Sequence, residues 1–333
     1  IDEVIKMFKK YFFGAFLFLI LGVIASVSSA EVMFFGEFRA LDPFQPANQL
    51  EITVRAWVEP STQTDYFTYY YKLTSNKESK QDMYSFKLIV KDSAVENSGS
   101  LRDDDISSPL GWDGRVSEGA TAWIGLYGKR INLISWFNTT SINPEDPRYP
   151  PAHPLKPGST SEGFSFKSKG LPTIEDFWAR GWVRAPSEWE IIERVNEKFG
   201  TDFPNHPSGM PPNEMILAVW PGFRYIYENA FSSKTLSAKL PPETFEPLSF
   251  LDNLISLKEQ AYSLGWIDNK GILNSLDQKL EAAKKNIEKG KVNTAKNILG
   301  AFINEVEAQK EKHLSSEAYA LLKFNAQYLI ENL

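Results

Sequence analysis

Aromatic rings and carboxylates are the residues of this chain with chemistry to offer. Eight of nine tryptophans and ten of 13 tyrosines lie before residue 249. Flat rings cover the apolar faces of pyranose sugars while amides and carboxylates take the hydroxyls, so a row of exposed rings makes a sugar-stacking platform. The same rings can instead be core, which a chain with no cysteine must build from burial alone. Strand alternation separates the two uses. It turns Trp57 and Tyr70 away from the apolar face of their strands, and Trp178 and Trp182 neighbour a loop-rich helical segment. These four are the candidate ligand-binding rings, with polysaccharide as the class of ligand.

The run Arg102-Asp103-Asp104-Asp105 offers hard oxygen ligands in a loop. Asp103 and Asp105 are therefore candidate calcium ligands, although the alternating Asp and closing Gly of a helix-loop-helix calcium site are missing and a solvated acidic turn is the ordinary account of such a run. His153, His206 and His313 are the three histidines, and none stands at metal-ligand spacing. No nucleophile elbow, phosphate-cradling glycine loop or dinucleotide fingerprint occurs. Glu175 and Asp176 are a carboxylate pair of the kind a glycosidase uses, but with 42 acidic residues such a pair is expected by chance. Asn138-Thr139-Thr140 fits a glycosylation sequon, read here as coincidence. The chemistry points to binding or attachment rather than catalysis.

The elements that must position these residues are mainly strands. Leu50, Ile52, Val54, Ala56 and Val58 alternate with Glu51, Thr53, Arg55 and Trp57, and Phe67, Tyr69, Tyr71 and Leu73 alternate with Thr68, Tyr70 and Lys72. Period two continues through 84–90, 122–126, 131–137 and 164–168. Short strands between Pro, Gly, Ser and Asp clusters predict an antiparallel β-sandwich, immunoglobulin-like, over residues 31–240. One helical insertion interrupts it: Ser187 and Glu190 form a capping box ahead of a stripe of Trp189, Ile192, Val195 and Phe199. Residues 173–213 read as an elaboration of the sandwich, followed by a strand at 215–220.

From residue 249 the period changes to three and four. Leu254, Leu257, Ala261 and Leu264; Ile272, Leu273, Leu276, Leu280, Ala283 and Ile287; Val292, Ala295, Ile298, Leu299, Phe302 and Val306; and Ala318, Leu321, Leu322 and Leu329 form four amphipathic stripes with Lys and Glu outside. Gly265, the Asp268-Asn269 pair, Gly290 and Ser315 supply breaks and caps, so residues 249–333 are predicted to form a four-helix bundle. The chain is thus a multidomain protein, all-β then all-α. The runs GILNSLDQKLEAAKKNIEKGKVNTAKNILGAFINEVEAQ and HLSSEAYALL resemble the FIMAH domain, a helical module of secreted bacterial proteins. The matching positions include Gly271, Ser275, Lys279, Leu280, Gly290, Asn297, Leu299, Phe302 and Gln309; Glu311 departs from the pattern, which has Gly there. That resemblance covers about a quarter of the chain, implies the helical fold and carries no catalytic residue. Ser108-Pro109-Leu110-Gly111-Trp112, Ile134-Ser135-Trp136, Pro157-Gly158-Ser159 and the 163–172 segment are in turn similar to β-modules of exported bacterial proteins that have no assigned activity.

Composition places the boundary and the destination. All 20 prolines lie at or before Pro247 and all ten arginines at or before Arg224. Residues 241–248 read as a stiff Pro-rich linker holding two domains apart. Met7 opens a secretory signal over residues 7–30: Lys9 and Lys10, an apolar run from Phe12 to Ile24, then the small residues Ser28, Ser29 and Ala30. Export to the periplasm, the cell surface or the medium follows, with membrane contact only through that segment. Net charge is -6. Residues 249–333 hold 11 Lys against 11 Asp plus Glu, so the rest carries the acidic excess and a nucleic-acid partner is not expected. The functional expectation is an exported, non-catalytic protein that binds a polysaccharide or cell-envelope component. The alternatives are a carbohydrate-active hydrolase working through carboxylates, or a purely structural envelope protein.

Overall fold

The computed structural model describes residues 49–91, 102–120, 131–138, 151–182, 188–219 and 231–333. The signal segment, the strand expected at 122–126 and the capping residue Ser187 lie outside them. Among the described residues nine strands form two antiparallel sheets. One has the order β1 (Ile52–Pro60), β2 (Phe67–Ser75), β7 (Thr160–Ser168), β4 (Ile106–Ser107). The other runs β5 (Trp112–Ala120), β6 (Ile131–Asn138), β3 (Met83–Val90), β8 (Leu171–Gly181), β9 (Phe231–Lys239). Taking the strands in chain order, β1-β2-β7-β4 opposite β3-β8-β9 is the A-B-E-D and C-F-G arrangement of an immunoglobulin-like sandwich, and β6 with β5 extends the second sheet beyond β3.

Alternation builds the core. Tyr69, Tyr71 and Leu73 of β2 are fully buried, whereas Tyr70 and Lys72 between them are half-buried on the outer face. Tyr71 packs on Phe86 and Trp136, those two rings stack with centroids 5.3 Å apart, and Phe164 meets Trp112 and Trp136 edge-on. Buried phenols need acceptors: Tyr69 Oη donates to the Gly170 carbonyl at 2.7 Å and Tyr71 Oη to that of Leu236 at 2.9 Å. Burial pushes the Tyr71 phenol well above its ordinary pKa, which keeps it a donor. Rings and cross-sheet hydrogen bonds hold the two sheets together in a chain without cysteine.

Two sequence expectations need correction. Residues 171–181 are not an elaboration but the strand β8, between β3 and β9, buried at every position except Asp176. A strand covered on both faces loses its alternation, which is why it escaped the period-two reading. The strand expected at 215–220 is instead a helix. Helix α1 (Glu188–Phe199) and helix α2 (Asn213–Val219) belong to a separate compact unit in which Ile192, Val195, Phe203 and Val219 pack together. Pro212 starts α2, its carbonyl accepting from Met215 and Ile216 N–H at 3.0 and 3.1 Å. The stripe on α1 is only half buried, since Trp189 and Phe199 are exposed.

The helical part follows the four stripes. Helices α3 (Pro247–Ser263), α4 (Lys270–Glu288), α5 (Val292–Gln309) and α6 (Ser316–Asn332) pack in a ring, each against the next and α6 against α3. Asn269 Oδ1 caps α4 by accepting from Gly271 and Ile272 N–H, and Ser315 Oγ caps α6 by accepting from Ala318 N–H at 3.3 Å. Gly265 and Gly290 adopt positive φ beyond the ends of α3 and α4. Lys258 is one exception to the charged outer faces: fully buried, it pairs with Asp277 of α4 and with Glu259. Among the described residues no helix is long and apolar enough to cross a membrane.

The prolines of residues 241–248 do not hold the bundle away from the sandwich. Both belong to one compact unit, and Pro247 is already helical. Phe245 packs on Phe250 and Tyr328. Helix α6 lies against β1, β8 and β9, across the side where the outermost strands of the two sheets approach each other. Its buried residues, among them Ala318, Ala320, Leu321, Phe324 and Asn325, go well beyond one stripe. Phe324 meets Phe67 at 5.1 Å, Asn325 Nδ2 donates to the Pro172 carbonyl at 2.9 Å, and Glu317 Oε1 accepts the outward Ala56 N–H of edge strand β1 at 2.6 Å.

The last contact yields a test. Glu317→Ala leaves a buried Ala56 N–H without its acceptor and should destabilise the whole chain by about 1–3 kcal/mol, whereas Glu317→Gln retains an amide oxygen and should recover much of that loss. Equal behaviour of the two variants in urea denaturation would show that the carboxyl does not cap the edge. Inside the bundle, Leu280 and Phe302 are fully buried. Leu280→Ala should cost about 2–5 kcal/mol and Phe302→Ala about 3–5, against little for Lys284→Ala, whose half-buried side chain pairs with the exposed Asp252.

Candidate functional site

Trp57 and Tyr70 are direct partners across the β1–β2 ladder, and their rings stack with centroids 5.3 Å apart and planes 11° from parallel. Both are half-buried on the outer face of the first sheet. Strand pairing thus makes a two-ring patch out of residues that alternation alone had only turned outward. Trp57 lines a cleft of about 560 Å³ where this sheet meets the helical bundle. Arg55, Glu59 and Lys72 share the sheet wall with it; Lys310, Glu311, Ser315, Ser316 and Tyr319, from the α5–α6 loop and the first turn of α6, form the other.

That second wall is held from several directions. Leu314 is buried and forms bridges with Ile267 and Lys310. Ser315 N–H donates to the Trp266 carbonyl at 2.9 Å, and His313 Nδ1 lies 2.8 Å from Asp268 Oδ1. Lys310 Nζ sits 4.6 Å from the centre of the Tyr319 ring, and Lys323 lies 5.2 Å from it while also pairing with Glu307. Burial lowers the Lys323 pKa, but the bonds to Glu307 and Tyr319 outweigh it and the net shift is upward. Glu311 takes a φ of 60°, and among the described residues it is the one non-glycine with positive φ. Gly takes this left-handed conformation without penalty and Glu does not, so a side chain bears backbone strain where the loop turns into the cleft.

The other nominated residues do not join this site. Trp178 is buried in β8, so it is no surface ring: the strand has cover on both faces. Trp182 is half-buried just past β8, and its indole N–H has no acceptor among the described residues. Asp103 and Asp105 stand in a 3-10 turn whose geometry uses their oxygens: Asp103 Oδ1 accepts from Val116 N–H at 2.8 Å and Asp105 Oδ2 from Arg102 N–H at 3.1 Å. Among the described residues no three carboxylate or imidazole side chains gather as a cation site. Glu175 is paired with Lys91 at 2.5 Å and Asp176 with Lys234 at 2.6 Å. Successive residues of a strand face opposite sides, so the two carboxylates do not flank a common bond. Asn138 of the sequon is buried, with its side chain on the His153 backbone.

Arg55, Glu59, Lys310, Glu311 and Tyr319 were not legible as site residues, because they come together only when α6 docks. The one signal available beforehand was Glu311, where the resemblance leads one to expect Gly.

The fold and cleft define a class: an immunoglobulin-like sandwich with a helical bundle docked on its open side and a ring-lined recess at the junction. Residues 251–331 match the FIMAH domain, and the chain carries that domain as its helical part. A comparison with curated proteins finds no match.

The strained loop can be tested directly. Glu311→Gly removes the left-handed penalty at φ 60° and should raise stability by about 1 kcal/mol, read as a higher Tm. A lower Tm would mean that Glu311 holds the loop through contacts of its own.

Proposed function

We propose that this chain is an exported bacterial binding or attachment protein, non-catalytic, whose sandwich takes a polysaccharide or cell-envelope component on the face bearing Trp57 and Tyr70. The observation that carries the reading is Trp57, which lines the cleft with Tyr70 stacked on it and exposed charged groups beside it. Ring and polar rim together are what a sugar needs: stacking on its C–H face, hydrogen bonds to its hydroxyls. The FIMAH match over residues 251–331 supports a surface- or attachment-related role, and the leader-like residues 7–30 support export.

Trp57→Ala removes the stacking surface without opening the sandwich core. Retention on insoluble glycans or peptidoglycan should fall roughly tenfold or more, with Tm within about 2 °C of the parent. A Tm loss of several degrees with retention intact would assign Trp57 to the core. Reducing-sugar release by the parent chain would replace this reading with the hydrolase; neither retention nor release across a broad panel would leave the structural envelope protein.

A further inference from the structure

We infer that the cleft is a subsite for a carboxylated sugar, such as a uronic acid residue of an anionic polysaccharide, and that the FIMAH bundle supplies one of its two walls. This rests on the binding reading above and narrows it to a ligand class and to a second partner in the site.

The charges carry the argument. Arg55 and Lys72 are direct partners across the β1–β2 ladder, a like-charge juxtaposition that strands disfavour. Lys72 is relieved by Glu162 at 2.5 Å, but Arg55 is exposed and meets no carboxylate among the described residues. Lys310, on the opposite wall, is likewise exposed and faces a ring instead of an acid. Two cations that meet no carboxylate among the described residues therefore stand on the two walls of one recess, in a chain whose sandwich side carries the whole acidic excess. A carboxylate between them gains two charge-assisted contacts, one of which the guanidinium can make bidentate.

The remaining groups suit the rest of such a sugar. Trp57, braced by Tyr70, offers the C–H face a surface already in place, and a preorganised wall reduces the ordering cost of binding. Glu59 and Glu311, neither of them ion-paired among the described residues, can accept hydrogen bonds from hydroxyls. The same two carboxylates would repel the dense phosphates of a nucleic acid, whereas one carboxylate per sugar leaves the hydroxyls free to meet them. The volume, about 560 Å³, lies in the range of small-ligand clefts.

The test is calorimetry on the full chain with alginate, polygalacturonate and hyaluronan, each beside its carboxyl-reduced counterpart. At least one acid form should bind roughly tenfold tighter than its reduced partner, with affinity falling as salt rises. Arg55→Gln and Lys310→Gln should each erode that preference and the double variant abolish it, with Tm unchanged because both side chains are exposed. Equal affinity for acid and reduced forms overturns the carboxylate inference but leaves the binding reading standing. An effect of Arg55→Gln with none of Lys310→Gln overturns the role of the helical wall. Binding to none of the polymers overturns the inference, and failure on the neutral glycan panel as well overturns the binding reading with it.

Discussion

The burial of α6 against the open side of the sandwich is the constraint on which the rest of the structure depends. An immunoglobulin-like sandwich ends in edge strands whose outward N–H and C=O groups invite pairing with other chains. Here β1 is such an edge, and Glu317 in the first turn of α6 accepts the Ala56 N–H while the helix covers the strand beside it. About two turns further along α6, Asn325 adds a second bond to the sandwich backbone by donating to the Pro172 carbonyl of the interior strand β8. Helix α6 in consequence has two duties: one side closes the bundle with α3 and α5, and another seals the sandwich. Either part without the other would expose apolar surface that the native chain buries.

The aromatic content follows from the same economy. Without cysteine, the sandwich is joined across its sheets by Tyr71, Phe86, Trp136 and Phe164, with phenol and indole hydrogen bonds to backbone carbonyls at the rim of the cluster. Among the described residues of the sandwich, most of the rings are thereby committed to the core. Trp57 and Tyr70 are different because their strand positions face outward, and they stack on each other where α6 and its preceding loop stop covering the sheet. The cleft is thus a by-product of docking: the loop at residues 310–315 must turn sharply to bring α6 to the strand edge, and the turn leaves Glu311 strained and Lys310 beside Tyr319.

What the sequence by itself determined is whatever depends on neighbours along the chain. Period two placed β1, β2, β3, β6 and β7, and with them the outward aim of Trp57 and Tyr70. Period 3.6, with Asn269, Ser315, Gly265 and Gly290 as punctuation, placed the four helices, their short connections implied a bundle, and the FIMAH resemblance agreed with a helical fold. Only the tertiary structure decided what depends on contacts between distant residues. Strand β8 is covered on both faces and so has no alternation to read, which hid Trp178 inside the sheet. The short apolar run after Pro212 suits strand and helix alike until its partners are present. The Pro-rich connection was expected to act as a spacer, since its stiffness is local, yet the apolar faces of α6 override it. The cleft joins Arg55 to Lys310 across some 250 positions, and no local pattern encodes that meeting.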